Sequence, residues 1–95
     1  SLNIITKNIL ERMANYIISE GFLDVKVIGY TSSVGSESYN LELSQKRAFN
    51  VKRLFERTGI KKTSFKGMGE KEIIFDEWGR ELENKSRRVK ICYRK

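Results

Sequence analysis

The chain has 95 residues, 39% of them hydrophobic, which is enough for one small domain with a single core. Lysine and arginine outnumber aspartate and glutamate by 19 to 12, and the resulting charge of +7 favours anionic partners such as nucleic acid, acidic lipid or an anionic wall polymer. The absence of histidine argues against metalloenzymes and triad hydrolases, and the single cysteine excludes an intrachain disulfide.

The first predicted element is an amphipathic helix of about 15 residues, which ends near Gly21. Its apolar face contains a series at intervals of four residues and two neighbours of that series: Ile5, Ile9, Met13 and Ile17, with Leu10 and Ala14 beside them. A short strand is predicted at residues 25–28, with Val25 and Val27 facing the helices and Lys26 facing outward. Residues 31–38 are rich in serine and predict a polar loop.

The second predicted helix runs from residue 40 to residue 57, and Gly59 is the residue type expected just past its end. Its predicted buried stripe consists of Leu43, Ala48, Val51, Leu54 and Phe55. Another short strand is predicted around residues 64–66.

Residues 68–86 are charged and irregular, with four apolar residues that are candidates for anchoring this loop: Ile73, Ile74, Phe75 and Trp78. Residues 88–93 alternate with period two, which predicts a strand with Val89 and Ile91 inward and with Cys92 as a small packed thiol. Helices that alternate with strands predict an α/β (α+β) two-layer sandwich, in which two main helices pack on one face of a small mixed sheet.

The segment GYTSSVGSESYNLELSQKRA at residues 29–48 resembles a known family motif. The motif is G-H-T-D-x-x-G-S-x-x-Y-N-x-x-L-S-x-x-R-A, from the OmpA-like peptidoglycan-binding domains that include the Pal lipoproteins and MotB. Three further blocks match in order: the valine, leucine and Gly-Ile of residues 51–60, the G-x-G-E of residues 67–70, and the R-R-V of residues 87–89. The resemblance implies an OmpA-like βαβαβ fold, with the family's first strand either missing or reduced to residues 2–4.

The same resemblance implies a domain organisation and a location. Residues 1–95 are expected to form a single OmpA-like domain, the C-terminal fragment of a larger envelope protein in the periplasm, associated with the cell wall or the outer membrane. No run of about 18 apolar residues and no signal-peptide pattern is present, so the segment is expected to be soluble. Membrane association is expected only through parts of the parent protein outside this sequence.

The ligand that the resemblance implies is the diaminopimelate of the peptidoglycan stem peptide, which carries ammonium and carboxylate groups. Arg47 matches the family arginine, whose planar guanidinium suits a carboxylate; the alternative is an exposed helix arginine without a ligand. Arg87 matches the arginine that reaches the pocket in relatives. Thr31 and the backbone around Gly35 are expected to line the loop pocket. Asn40 either caps the second helix or bonds the ligand backbone.

The main departure from the family is Ser32, which stands where relatives have the aspartate that pairs with the ligand ammonium. Because a hydroxyl carries no charge, this change predicts binding weaker by about one order of magnitude. Glu37 or Glu42 are candidates for replacing the missing anion. Ser86 replaces a family asparagine and removes an amide that orders the turn, and Arg88 is expected on the sheet surface.

The sequence is compatible with several functions. The leading hypothesis is a non-catalytic module that anchors an envelope protein to peptidoglycan. The second is a scaffold domain that has lost wall binding and mediates protein–protein contacts in an envelope secretion, conjugation or motility assembly. Nucleic-acid binding is disfavoured because no aromatic-glycine strand motif or reading helix is present. An enzyme is the least favoured hypothesis, and no cofactor or metal is expected.

Overall fold

A computed structural model describes residues 4–22 and 24–94. The elements in chain order are α1 (Ile4–Ser19), β1 (Asp24–Gly29), α2 (Glu37–Thr58), β2 (Lys62–Gly67), α3 (Glu83–Ser86) and β3 (Val89–Arg94). No helix in these two ranges combines the length and apolar character that a membrane crossing requires.

Helix α2 is longer than the sequence predicts because it is capped at both ends. The Ser36 hydroxyl accepts a hydrogen bond from the Tyr39 backbone N–H at 3.2 Å, so the helix begins three residues before Asn40. Gly59 ends it with a φ of 120°, and its N–H donates to the carbonyls of Phe55 and Glu56. The predicted capping role of Asn40 is therefore wrong.

The sheet has three strands in the order β2-β1-β3. Strand β1 pairs in parallel with β2, with Val27 opposite Phe65, and antiparallel with β3, with Val27 opposite Ile91. This mixed sheet places the segments that follow β1 and β2 at the same edge, next to the start of β3.

The core lies between the helices and one face of the sheet, which confirms the predicted two-layer α+β fold. Helix α2 packs on β1 and β2, and α1 packs on α2. The fully buried residues come from α1, β1, α2 and the turn after α2: Leu10, Ala14, Ile17, Val25, Val27, Ala48, Val51, Leu54, Phe55 and Ile60. Of the predicted stripe of α2, Leu43 is only half-buried.

The prediction that Ile5 and Ile9 of α1 lie in the core is wrong. Ile5 and Ile9 are 70% and 55% exposed, whereas Leu10 and Ile17 are buried. An α-helix has 3.6 residues per turn, so each interval of four residues rotates the side chain by about 40° around the helix axis. Over the twelve residues from Ile5 to Ile17 the rotation adds up to about 120°. Residues spaced by seven, such as Leu10 and Ile17, stay within about 20° of one another and share the buried face.

Two predictions about other apolar residues are also corrected. Cys92 is exposed rather than packed, because Ile91 faces the core and strand neighbours alternate between faces. In the segment 68–86, Ile73 and Ile74 are half-buried, but Phe75 and Trp78 are exposed and do not anchor the loop. Polar contacts hold that loop instead, among them three hydrogen bonds that the Asp76 carboxylate accepts from Trp78 and Arg80.

The expected first strand at residues 2–4 finds no support at Ile4, which is the first residue of α1. Leu2 and Asn3 lie outside the described residues.

Candidate functional site

The matched motif begins where β1 comes very close to α2. A Cβ atom added to Gly29 would overlap the Ser44 carbonyl oxygen, and one added to Gly67 would overlap Gln45. Only glycine fits at such contacts. The segment that follows β1 is bonded to the segment that follows β2, since the Thr31 N–H donates to the Gly69 carbonyl at 2.8 Å.

Asn40 holds the loop that follows β1. Its side-chain amide is buried and donates to the carbonyls of Ser32 at 3.2 Å and Val34 at 3.0 Å, and to the Glu70 carboxylate at 2.9 Å. Gly35 completes the turn with a φ of 95°. These bonds give the loop one shape, so the role of Asn40 in the structure is to position the loop.

Ser32 and Arg87 are brought together although 55 residues separate them. The Arg87 Nε donates to the Ser32 hydroxyl at 3.2 Å, and its Nη2 lies 3.4 Å from the Glu83 carboxylate. Ser32 is 3% exposed. Thr31 next to it is also buried, and its hydroxyl has no hydrogen-bond partner within the part of the chain that the structure describes.

A carboxylate that the sequence did not single out is bonded to Ser33, the residue after Ser32. Glu81 accepts a hydrogen bond from the Ser33 N–H at 2.7 Å and a second, short one from the Ser33 hydroxyl. The hydroxyl bond, the N–H bond and the charge of Arg87 together hold the pKa of Glu81 below its ordinary value.

The two candidates named for the missing anion are both exposed on α2. Glu37 is exposed in the first turn of α2, and Glu42 pairs with Lys46 at 3.5 Å. Sequence reasoning missed Glu81 because it lies in an irregular segment 48 residues beyond Ser33. A signal for it exists only in the sheet topology, which places residues 68–88 beside the end of β1.

Arg88 and Ser86, the two chain neighbours of Arg87, make contacts of their own. Arg88 is half-buried, and its guanidinium is 4.0 Å from the centroid of the buried Tyr30 ring and donates to the Glu72 carbonyl. The Tyr30 hydroxyl donates to the Glu72 carboxylate at 3.2 Å, and burial, followed by the Glu72 charge, raises the pKa of Tyr30. Ser86 still orders the turn, because its hydroxyl accepts from the Ile74 N–H at 3.0 Å.

Arg47 stands apart from this cluster. It is half-buried on α2, and its side chain has no hydrogen bond or ion pair with any other residue in the two described ranges. Seven residues separate it from Asn40, so the two side chains leave the same face of the helix about 10 Å apart along its axis. The structure thus brings Thr31, Ser32, Gly35, Asn40 and Arg87 together and leaves the Arg47 guanidinium uncommitted, about two helical turns further along α2.

Comparisons with known proteins identify the family of the chain. A family model described as the OmpA family matches residues 2–88. The outer-membrane lipoprotein YfiB of Pseudomonas aeruginosa is 29% identical over 92 residues, which cover 95% of this chain and 55% of YfiB. The chain spans about half the length of YfiB and between 8% and 21% of the five other curated relatives that it matches.

Two solved structures share the fold over nearly all of the chain. The peptidoglycan-associated lipoprotein of Burkholderia pseudomallei has a TM-score of 0.77 at 25% identity, covering 99% of this chain and 81% of that one. The OmpA-like domain of FopA1 from Francisella tularensis has a TM-score of 0.81 at 25% identity, covering 100% of this chain and 66% of that one.

Proposed function

The chain belongs to the OmpA family, and from this premise we propose that it is a non-catalytic module that binds peptidoglycan and holds a larger envelope protein at the cell wall. The 95 residues act as one OmpA-like domain of that protein, in the periplasm beside the wall or the outer membrane. The similarity to a peptidoglycan-associated lipoprotein supports this proposal. The observation that carries it is the fixed loop at residues 31–35 with arginines and carboxylates around it.

The proposed ligand is the stem peptide, through its diaminopimelate. This residue carries ammonium and carboxylate groups together, and a site for it needs fixed charges of both signs. Arg47 is proposed to pair with a ligand carboxylate, because its guanidinium is not committed to any group in residues 4–22 or 24–94. Arg87 is proposed to assist from the other side of the loop, where Ser32 orients its Nε. Thr31, Gly35 and Asn40 are proposed to shape the pocket.

One observation favours a second function. The family aspartate is replaced by Ser32, whose hydroxyl carries no charge and already accepts the hydrogen bond from Arg87. The alternative proposal is therefore a scaffold domain that keeps the fold, does not bind the wall and contacts other proteins of an envelope secretion, conjugation or motility assembly.

The experiment that separates the two functions is co-sedimentation of the purified domain with insoluble peptidoglycan. The wild-type domain and Arg57→Ala are expected to co-sediment, and Arg47→Ala is expected to stay in solution. Arg57 is the matched control because it is an exposed arginine on the same helix. Failure of the wild-type domain to bind would favour the scaffold, and equal binding by Arg47→Ala and Arg57→Ala would remove the role of Arg47.

Competition with free amino acids tests the ligand itself. Diaminopimelate and lysine share two amino groups and one carboxylate, and diaminopimelate has a second carboxylate. If Arg47 and Arg87 pair with ligand carboxylates, diaminopimelate should release the domain from peptidoglycan at concentrations at which lysine does not. Equal competition by the two would contradict recognition of the second carboxylate.

A further inference from the structure

The site needs a negative charge for the ligand ammonium, and position 32 does not provide one. The Ser32 side chain is neutral and its hydroxyl oxygen already accepts a hydrogen bond from Arg87. A neutral acceptor contributes less to binding an ammonium group than a carboxylate does. Either the ammonium is left without a charged partner or another residue supplies the charge.

Glu81 has the geometry that this role requires. Each of its two carboxylate oxygens accepts a hydrogen bond from Ser33, the neighbour of Ser32. A carboxylate has about four acceptor positions, so about two remain for a ligand. The side chain is half-buried and therefore still reachable from solvent.

The backbone that carries Glu81 is itself fixed. Glu81 forms an antiparallel bridge with Phe75, and the next residue, Leu82, donates its N–H to the Ile74 carbonyl at 2.8 Å. Asp76 orders the turn between these two segments through its bonds to the Arg80 backbone and guanidinium. The carboxylate is thus preorganised, which lowers the entropy that ligand binding would otherwise lose.

The other carboxylates around the loop have different partners in the protein. Glu70 accepts the Asn40 amide at 2.9 Å, Glu72 accepts the Tyr30 hydroxyl, and Glu83 lies 3.4 Å from the Arg87 guanidinium. Glu72 and Glu83 also lie in ion pairs with Arg88 and Arg87. Glu81 has no ion pair within the described residues, and both of its hydrogen bonds come from Ser33, the neighbour of Ser32. These bonds and the Arg87 charge favour its ionised form.

We infer that Glu81 carries the negative charge that position 32 lacks and that its carboxylate binds the ammonium group of the stem-peptide ligand. The inference rests on the proposed function. It implies that the anion has moved from the loop after β1 to the segment between β2 and β3, so the site keeps charges of both signs: Glu81 for the ammonium, and Arg87 with Arg47 for carboxylates.

The test is a double-mutant comparison by co-sedimentation with insoluble peptidoglycan. Glu81→Gln removes the charge but keeps an oxygen that accepts from Ser33, and it is expected to weaken binding about tenfold. Glu77→Gln is the matched control, because Glu77 is an exposed glutamate of the same segment, and it is expected to bind like the wild type. Ser32→Asp is expected to restore binding in the Glu81→Gln protein and to add little in the wild type, where the two carboxylates would repel each other.

Three results would overturn the inference, and they are distinguishable. If the wild-type domain does not bind, the proposed function fails and the inference fails with it. If the wild type binds and Glu81→Gln binds equally well, the function stands and Glu81 is not the anion. If Glu81→Gln loses binding and Ser32→Asp does not restore it, Glu81 only supports the shape of the loop. Thermal melts of all four variants establish that each is folded.

Discussion

Replacing Asn40 by alanine tests whether this one amide holds the binding loop. In the folded protein its side chain donates to two backbone carbonyls and to the Glu70 carboxylate. A neutral hydrogen bond contributes about 1 kcal/mol to stability and one to a charged group about 1.5–3 kcal/mol. Three acceptors shared by one amide therefore suggest a loss of about 2–4 kcal/mol in Asn40→Ala, a large part of the stability of a domain of this size.

The assay is urea denaturation followed by the peptidoglycan co-sedimentation described above. Asn50→Ala is the matched control, since Asn50 is a half-buried asparagine on the same helix whose side chain makes no hydrogen bond with the residues that the structure describes. We expect Asn40→Ala to lower both the denaturation midpoint and wall binding, and Asn50→Ala to change the free energy of unfolding by about 1 kcal/mol or less. If the two variants unfold alike, the amide does not hold the loop, and the reasoning is refuted.

Two further predictions concern the core and the response to acid. Leu54→Ala should lower the free energy of unfolding by about 2–5 kcal/mol because Leu54 is buried in the core. Leu41 on the same helix is 39% exposed, so Leu41→Ala should lower it much less. Equal shifts of the two variants in thermal melts would show that the buried face of α2 is misassigned. The pKa of Glu81 is lowered from 4.5 in the folded state, so the stability that its bonds contribute is present above that value and is lost as pH falls through the lowered pKa. Unfolding titrations from about pH 7 to about pH 3 should show a smaller loss in Glu81→Gln than in the wild type, and parallel curves would contradict this linkage.

The parts of the fold that the sequence predicts well are those set by local periodicity. Helical spacing predicts Ala48, Val51, Leu54 and Phe55 in the core, and all four are buried. The same type of argument failed for Ile5, because an interval of four approximates the helical repeat only over one or two turns. Burial of a helix residue also requires another helix or strand to pack against it, and the periodicity of one helix does not show how far along it that packing extends.

For the candidate site, the sequence motif names residues that lie close to one another in the chain and one arginine beyond them. It places Ser32 in the loop after β1 and Asn40 at the start of the second helix, and it points to Arg87. The motif does not predict the role of Glu81, because the contact between Glu81 and Ser33 depends on the strand order and on the turn that Asp76 orders. A charge lost from a motif is therefore not evidence that the site has lost it, because the fold can bring a distant residue to the same place.

The net charge of +7 and the charge of the site are separate properties of this molecule. The face of the sheet that the helices leave uncovered carries three lysines around Ile28: Lys26, Lys66 and Lys90. None of the three forms an ion pair with a residue in 4–22 or 24–94. Such a face attracts polyanions without selecting among them, and the attraction is screened by salt. The proposed site instead combines positive and negative groups at fixed positions, which is the arrangement that selects a zwitterion. Composition alone points to anionic partners in general, whereas the proposal of one ligand class depends on the arrangement of a few side chains around residue 32.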